Sequence, residues 1–440
     1  MPTVSGTSKY FNLFSLKFLD EFLPKNKADI PAPIKSKDFS RERRLTLSIV
    51  IALIINLVRP GKRFGYQEVI DRFYSDTGLA HDQASGDKPP DKAAFCRQRQ
   101  KLPLDVLREL FSKALTKAEE MAVQVADTTW HGLRVFAIDG TKKNMPFSEQ
   151  LAAFFGIPSG ASFPQMLTCA LYDVLAKIPI DVVYGPFDSS ERDMARLLYK
   201  DLDKSDLLLL DRGYPSFELL SEMLSLGFQF MVRLPITGLF KEVRAFLDKG
   251  NGDGILTIHP PASLIRELRK QGMPIPKPFR LRVIKIRLPN GKKAVFITTL
   301  LNKVTYPLAQ LRDLYHLRWE EEEFFKLVKG LLDAENFHGK CLLLIGQELM
   351  AIHLYCLLTR ILIMECSISN HIPISQIPQQ HAFLAVARFL DKIWTSSDIE
   401  RSLRWLVMCI EEIAWRRYKK RPGRSFPRKS KSSLGKWGRK

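Results

Sequence analysis

The chain has 440 residues, 45% of them hydrophobic, enough to bury a sizeable core and to exclude wholesale disorder. Lys and Arg total 67 against 47 Asp and Glu, a net charge of +20, and a surplus of that size points to a polyanion as partner, with nucleic acid the commonest. Six scattered cysteines without a CxxC pair exclude a zinc ribbon or finger and argue against a disulfide framework, so a reducing compartment is expected.

The N-terminus has no basic stretch leading into an apolar run, so no signal peptide is expected. Residues 1–125 read as an all-helical, DNA-binding domain, with helical periodicity over 40–58, 66–74 and 103–122 and a polar linker near 77–90. The apolar stretch Leu45 to Val58 falls short of the roughly 18–20 residues of a bilayer span, which makes it a core helix and leaves no membrane among the expected partners. In DKAAFCRQRQK, Arg97, Arg99 and Lys101 follow Phe95 on a helix that either contacts DNA or is a solvated charged face.

From 130 to 235 the pattern is that of an α/β domain. Residues 133–139, 165–174 and 178–187 read as strands, 191–202 as a helix, 207–211 as a buried strand, 214–227 as a helix and 229–234 as a strand. Residues 236–294 are Gly/Pro-rich and strand-like, with a turn signal at Pro289–Asn290–Gly291, and read as a β-rich insertion. The α/β domain resumes over 295–415, with a buried strand at 295–300 and one long helix from Pro307 to Leu332. Residues 416–440 form a tail with twelve Lys or Arg and no acid.

Three acids carry the functional reading. Asp139 ends an apolar strand before Gly140–Thr141, and Asp211 ends LLLLD before Arg212–Gly213–Tyr214. The carboxyl end of a buried strand is where α/β sheets gather ligand chemistry, although either Asp alone fits a turn or a helix cap equally well. The third acid follows from helical phase. With Tyr315 at 0°, Arg318 falls at about −60°, Lys329 at about −40° and Glu322 at about −20°, opposite Phe324 and Val328. Of the glutamates 320–323 only Glu322 shares that polar arc, and Glu320 falls in the apolar stripe.

The run Tyr315–x2–Arg318–x3–Glu322–x6–Lys329 resembles the YREK signature of DDE transposases of the insertion-sequence type, the IS-four family. Asp139–Gly140–Thr141 and Asp211–Arg212–Gly213–Tyr214 look like that family's first- and second-Asp motifs, and SSERDMARLL (189–198) resembles the helix approach between them. The resemblance implies an RNase H-like fold: a mixed sheet flanked by helices and interrupted by a β-rich insertion. It also implies Asp139, Asp211 and Glu322 as metal ligands and catalytic acids. Two Mg²⁺ ions, with Mn²⁺ as substitute, suit three converging carboxylates. Asp139 is expected to bridge them. Tyr315, Arg318 and Lys329 are the expected phosphate contacts, with Arg212 and Lys326 as further candidates beside the second and third acids. Family members that form a DNA hairpin use a Trp in or near the insertion. No Trp lies between Asp211 and Arg318, and Trp319, at about 40° on the helix, is the candidate for that stacking.

The expected activity is cleavage at transposon ends followed by strand transfer, by a homodimer on double-stranded DNA, in a bacterial cytoplasm at the nucleoid. The alternatives are an inactive DNA-binding regulator and a structure-specific nuclease on the same fold. The tail supplies its own test. Deleting 416–440 should weaken binding to any duplex alike and flatten the fall of log affinity with log salt. An unchanged slope in a filter-binding series would remove the tail from the DNA contacts.

Overall fold

The computed structural model describes residues 38–418 except 40–43, 62–63, 80–87, 238, 288–290, 292 and 396–398. Most of the basic tail, the N-terminal 37 residues and the Pro289–Asn290 turn therefore lie outside the described residues.

An eight-stranded mixed sheet forms the centre, in the order β3-β2-β1-β4-β5-β8-β7-β6. The strands are β1 (Arg134–Asn144), β2 (Gln165–Asp173), β3 (Ile178–Pro186), β4 (Asp206–Leu210), β5 (Gln229–Leu234), β6 (Asp253–Ile258), β7 (Phe279–Arg287) and β8 (Lys293–Thr298). β1, β4 and β5 run parallel, and the other pairings are antiparallel. Where they pair in parallel, β1 over Val135–Ala137 and β4 over Leu207–Leu209 are apolar and buried, because both faces are covered. The two-residue period sorts them cleanly. Val135, Ala137, Leu207 and Leu209 enter one core, while Phe136, Ile138, Leu208 and Leu210 enter the other.

Against the first face pack α1 (Leu47–Val58), α2 (Tyr66–Thr77) and, after α3 (Lys92–Arg99), α4 (Leu104–Ala122). The short α5 (Glu149–Phe155) lies between β1 and β2 in sequence. On the second face lie α6 (Glu191–Tyr199), α7 (Phe217–Leu226) and α8 (Lys241–Asp248). The segment 236–294 is less strand-like than its sequence suggests. It contains α8 and α9 (Ala262–Lys270) besides β6 and β7, and its strands extend the central sheet through β8. Short helices are missed there because they bury so little: Val243 is the buried residue of α8, and α9 has none.

The C-terminal helices close the first face: α10 (Leu308–His316), α11 (Trp319–Gly330), α12 (Leu342–Asn370), α13 (Gln379–Thr395) and α14 (Ile399–Trp415). The N-terminal helices have no core of their own, since residues of α1, α2 and α4 share one buried cluster with α12, α13 and α14. α12 is long and apolar enough to cross a membrane by length and composition, but its most apolar window is entirely buried within the protein. It also carries buried polar groups, Gln347, Glu348, His353 and Arg360.

Arg99 is corrected from the expected DNA contacts to a core cation. It lies four residues after Phe95, on the same buried face of α3. Its guanidinium donates to Glu348 at 2.7 Å, Gln347 at 2.8 Å, the Leu344 carbonyl at 2.7 Å and the Tyr66 hydroxyl at 2.9 Å. Burial works against the Glu348 charge, but Arg99 and His338 outweigh it and hold the carboxyl below its usual range. Glu348→Ala would strand the Arg99 charge in the core. It should cost about 3–5 kcal/mol of unfolding free energy in a urea titration, and a cost under about 1 kcal/mol would show that this pair does not fasten α3 to α12.

Candidate active site

β1 and β4 pair in parallel with Arg134 opposite Asp206 and Ala137 opposite Leu209. Two residues beyond that last pair come Asp139 on β1 and Asp211 after β4. Both positions are odd-numbered, so both belong to the face that carries Ala137 and Leu209, where α11 packs through Phe324 and Val328. Asp211 stands just past the end of β4, as its sequence suggests. Asp139 does not end β1. The strand continues to Asn144 along β2, and Asp139 stands instead where the pairing with β4 stops.

The expected helix 307–332 is two helices. At the joint, Leu317 and Arg318 donate to the carbonyls of Leu314 and Tyr315, and Glu320 and Glu321 to those of Leu317 and Arg318. These three-residue steps tighten the turn and rotate the residues after it relative to a straight helix. The glutamate that enters the core is therefore Glu321, fully buried, whereas Glu320 is partly exposed and pairs with Lys177 at 2.8 Å. Glu321 was missed in the sequence because its phase depends on that joint. Its Oε1 accepts the Asp139 backbone N–H at 2.8 Å, and burial above all raises its pKa well above the carboxylate range.

Arg318 is the counter-charge. Its guanidinium donates to Glu322 at 2.5 Å and to Asp139 at 3.4 Å, and its side chain is 6% exposed. Burial opposes its charge, but Tyr315, Asp211 and Asp139 outweigh burial and raise its pKa. The Asp139 pKa is raised as well, on balance against its charge. Burial raises its pKa, Arg318 and the Gly140 N–H pull it down, and the charges of Glu191 and Glu322 push it up again. Asp211 accepts from the Tyr315 hydroxyl at 3.3 Å and has Arg233 at 3.7 Å. Tyr315 is buried with its ring against Phe296.

The remaining candidates are spread more widely. Lys329 donates to the Lys142 carbonyl at 2.9 Å and approaches Glu335 at 3.5 Å. Lys326 pairs with Glu323 at 2.7 Å, Trp319 is about a third exposed near His316, and Arg212 is exposed in the loop after Asp211. Arg97 is exposed on α3, and Lys101 beyond it pairs with Asp38 at 3.2 Å.

Among the described residues, no three His, Cys, Asp or Glu side chains are close enough together to hold a metal ion. Asp139 and Glu322 are turned to Arg318, and Asp211 to Tyr315 and Arg233. The donor set nevertheless suits a hard divalent cation. All its donors are carboxylate oxygens, and each side chain keeps an exposed edge, 27% for Asp139, 29% for Glu322 and 32% for Asp211.

Asp139 within β1, Asp211 just past β4 and Glu322 on α11, with Arg318 among them in a strongly basic chain, suit an enzyme that acts on nucleic acid. The chain belongs to the DDE transposase family: the family model described as Transposase DDE domain matches residues 130–358, just over half its length. The transposase InsG of insertion sequence element IS4 from Escherichia coli is 24% identical over 71% of this chain and 68% of its own length. A putative transposase InsZ from the same organism is 24% identical over 41% of this chain and 58% of its own. Among solved structures, a piggyBac transposase synaptic complex with hairpin DNA aligns over 95% of this chain and 87% of that one, at 12% identity and a TM-score of 0.43. The protein is thus a DNA transposase of the IS4 type, of a family that depends on divalent metal.

Glu321→Ala should cost about 1–3 kcal/mol in a denaturant titration, because the Asp139 N–H is left buried without an acceptor. Glu321→Gln keeps that acceptor and should cost clearly less. Equal losses would show that the contact with Asp139 contributes nothing.

Proposed function

We propose that Asp139, Asp211 and Glu322 are the catalytic acids of a metal-dependent transposition reaction, with cleavage at the transposon end followed by strand transfer. The observation that carries this reading is the Arg318 guanidinium, which joins Asp139 to Glu322, with Asp211 just past the strand beside β1 and bonded by Tyr315 of the same helix pair. Two Mg²⁺ ions, or Mn²⁺ in their place, would supply activation of the attacking hydroxyl and stabilisation of the leaving oxygen.

The chain's own residues do the rest. The three carboxylates hold the cations, and Arg318, relieved of Glu322, turns its fork toward a phosphate. Tyr315, which now donates to Asp211, is positioned to donate to a terminal phosphate, and Lys329 adds positive charge about two turns past Glu322. Trp319 is the surface aromatic nearest this group in sequence and is the candidate for stacking on a base. Arg212, Lys326, Arg97 and Lys101 are exposed cations suited to further phosphate contacts, which fix position but do not read sequence. Residues up to 125 serve as the end-binding region, 236–294 as an insertion in the catalytic domain and 416–440 as a duplex-binding tail. Two ends must be cut and joined in concert, so the acting species is a homodimer on double-stranded DNA, in the bacterial cytoplasm at the nucleoid.

Asp139→Asn and Glu322→Gln keep side-chain shape and remove one charge each. Both should abolish nicking of a labelled transposon end in Mg²⁺, a loss of at least about a thousandfold, while end binding persists in a gel-shift. Glu320→Gln and Glu323→Gln should keep most of the activity. A Glu322→Gln protein that still nicks the end would overturn the assignment.

A further inference from the structure

Asp139 has an acidic neighbour with no part in the reading above. Glu191 is the first residue of α6, which packs on the opposite face of the sheet from α11. Two contacts fix that helix end. The Ser190 hydroxyl accepts the Asp193 N–H at 3.3 Å, and Arg192 donates to the Gly213 carbonyl at 3.1 Å, which ties the first turn to the loop after Asp211.

So held, the Glu191 carboxyl lies against the backbone beside Asp139. Its carboxyl carbon is 2.8 Å, and its Oε1 3.0 Å, from the place a Cβ at Gly140 would take. Only glycine at 140 leaves that space open. Glu191 has no ion-pair partner among the described residues, and its charge is one of those that bear on Asp139. Arg318 compensates Asp139 but no cation among the described residues compensates Glu191, and the repulsion between the two acids is relieved if a cation binds beside them.

A second observation points the same way. The Tyr214 hydroxyl is buried, with the residue 2% exposed, and has no hydrogen-bond partner among the described residues. Tyr214 packs in one buried cluster with Met194 and Ala195 of α6, and its backbone N–H donates to the Asp211 carbonyl at 3.2 Å, so the orphaned hydroxyl belongs to a residue held between α6 and the loop after Asp211; burial above all raises its pKa. The Oε2 of the fully buried Glu321 is orphaned as well.

We propose that Glu191 is a fourth carboxylate of the site, which binds a divalent cation together with Asp139 from the other side of β1, and that Gly140 is glycine because it admits the Glu191 carboxyl. The inference rests on the active-site reading above and extends it.

The test is Mn²⁺ binding to the full-length protein, followed by the paramagnetic resonance of free Mn²⁺ and independent of turnover. Asp139→Asn should weaken binding severely. Glu191→Gln, a change at an exposed side chain, should weaken it by about tenfold. Gly140→Ala should do the same, because its methyl meets only the movable end of Glu191, which swings away at little cost to the fold. The double variant should bind no worse than either single one, since both remove one carboxylate from the site. Wild-type affinity in Asp139→Asn would sink the active-site reading itself. A weakened Asp139→Asn beside a Glu191→Gln protein of wild-type affinity would overturn the role of Glu191 alone. So would full additivity of the two changes, and should Gly140→Ala not fold, Glu191→Gln decides by itself.

Discussion

Carboxylates gather on β1, after β4 and on α11 only if opposite charge holds them there, and the Arg318 guanidinium provides it. Its two ends bond to Glu322 of α11 and to Asp139 of β1, so a single side chain fastens a helix to the sheet through two of the acids proposed as catalytic. The tight joint between α10 and α11 puts Arg318 in that position and turns Glu321 inward beneath it. Tyr315, one turn earlier, meets Asp211 from the same helix pair. Remove the guanidinium and the acids on β1 and α11 have nothing but repulsion between them.

Such an arrangement is built for exchange. A buried guanidinium compensating carboxylates keeps the fold intact at neutral pH, and both partners can be released to more strongly charged ligands, the acids to cations and the arginine to phosphate. In the proposed mechanism the same charges serve two states of the protein.

Much of this could be read from the sequence where the chemistry is local. The apolar runs before Asp139 and Asp211 have the two-residue period of buried strands, and the order of elements around them fixes a mixed sheet flanked by helices. Tyr315, Arg318 and Glu322 were legible because i, i+3 and i+7 spacings survive the tightened joint. What sequence could not show depends on tertiary partners. Arg99 looks like part of a basic helix until Glu348, 249 residues away, is found against it. Glu320 and Glu321 exchange roles through a small change of helical phase. Glu191 reads as an ordinary acid in the first turn of a helix, favoured there by the dipole, until Gly140 is found beneath its carboxyl.

The long helix α12 governs how the chain can be divided. It is apolar enough to be mistaken for a membrane segment, and it is kept from water by α1 and α4 from before the catalytic sheet in sequence and by α13 and α14 from after it. The stretch that carries the family signature, 130–358, ends inside α12 and includes none of those four helices. A fragment cut to that boundary would expose a bare oily rod in place of a core. The ribosome meets the same difficulty in time: α12 emerges before its last two covers exist, which makes this protein a natural client of chaperones that shield nascent apolar helices.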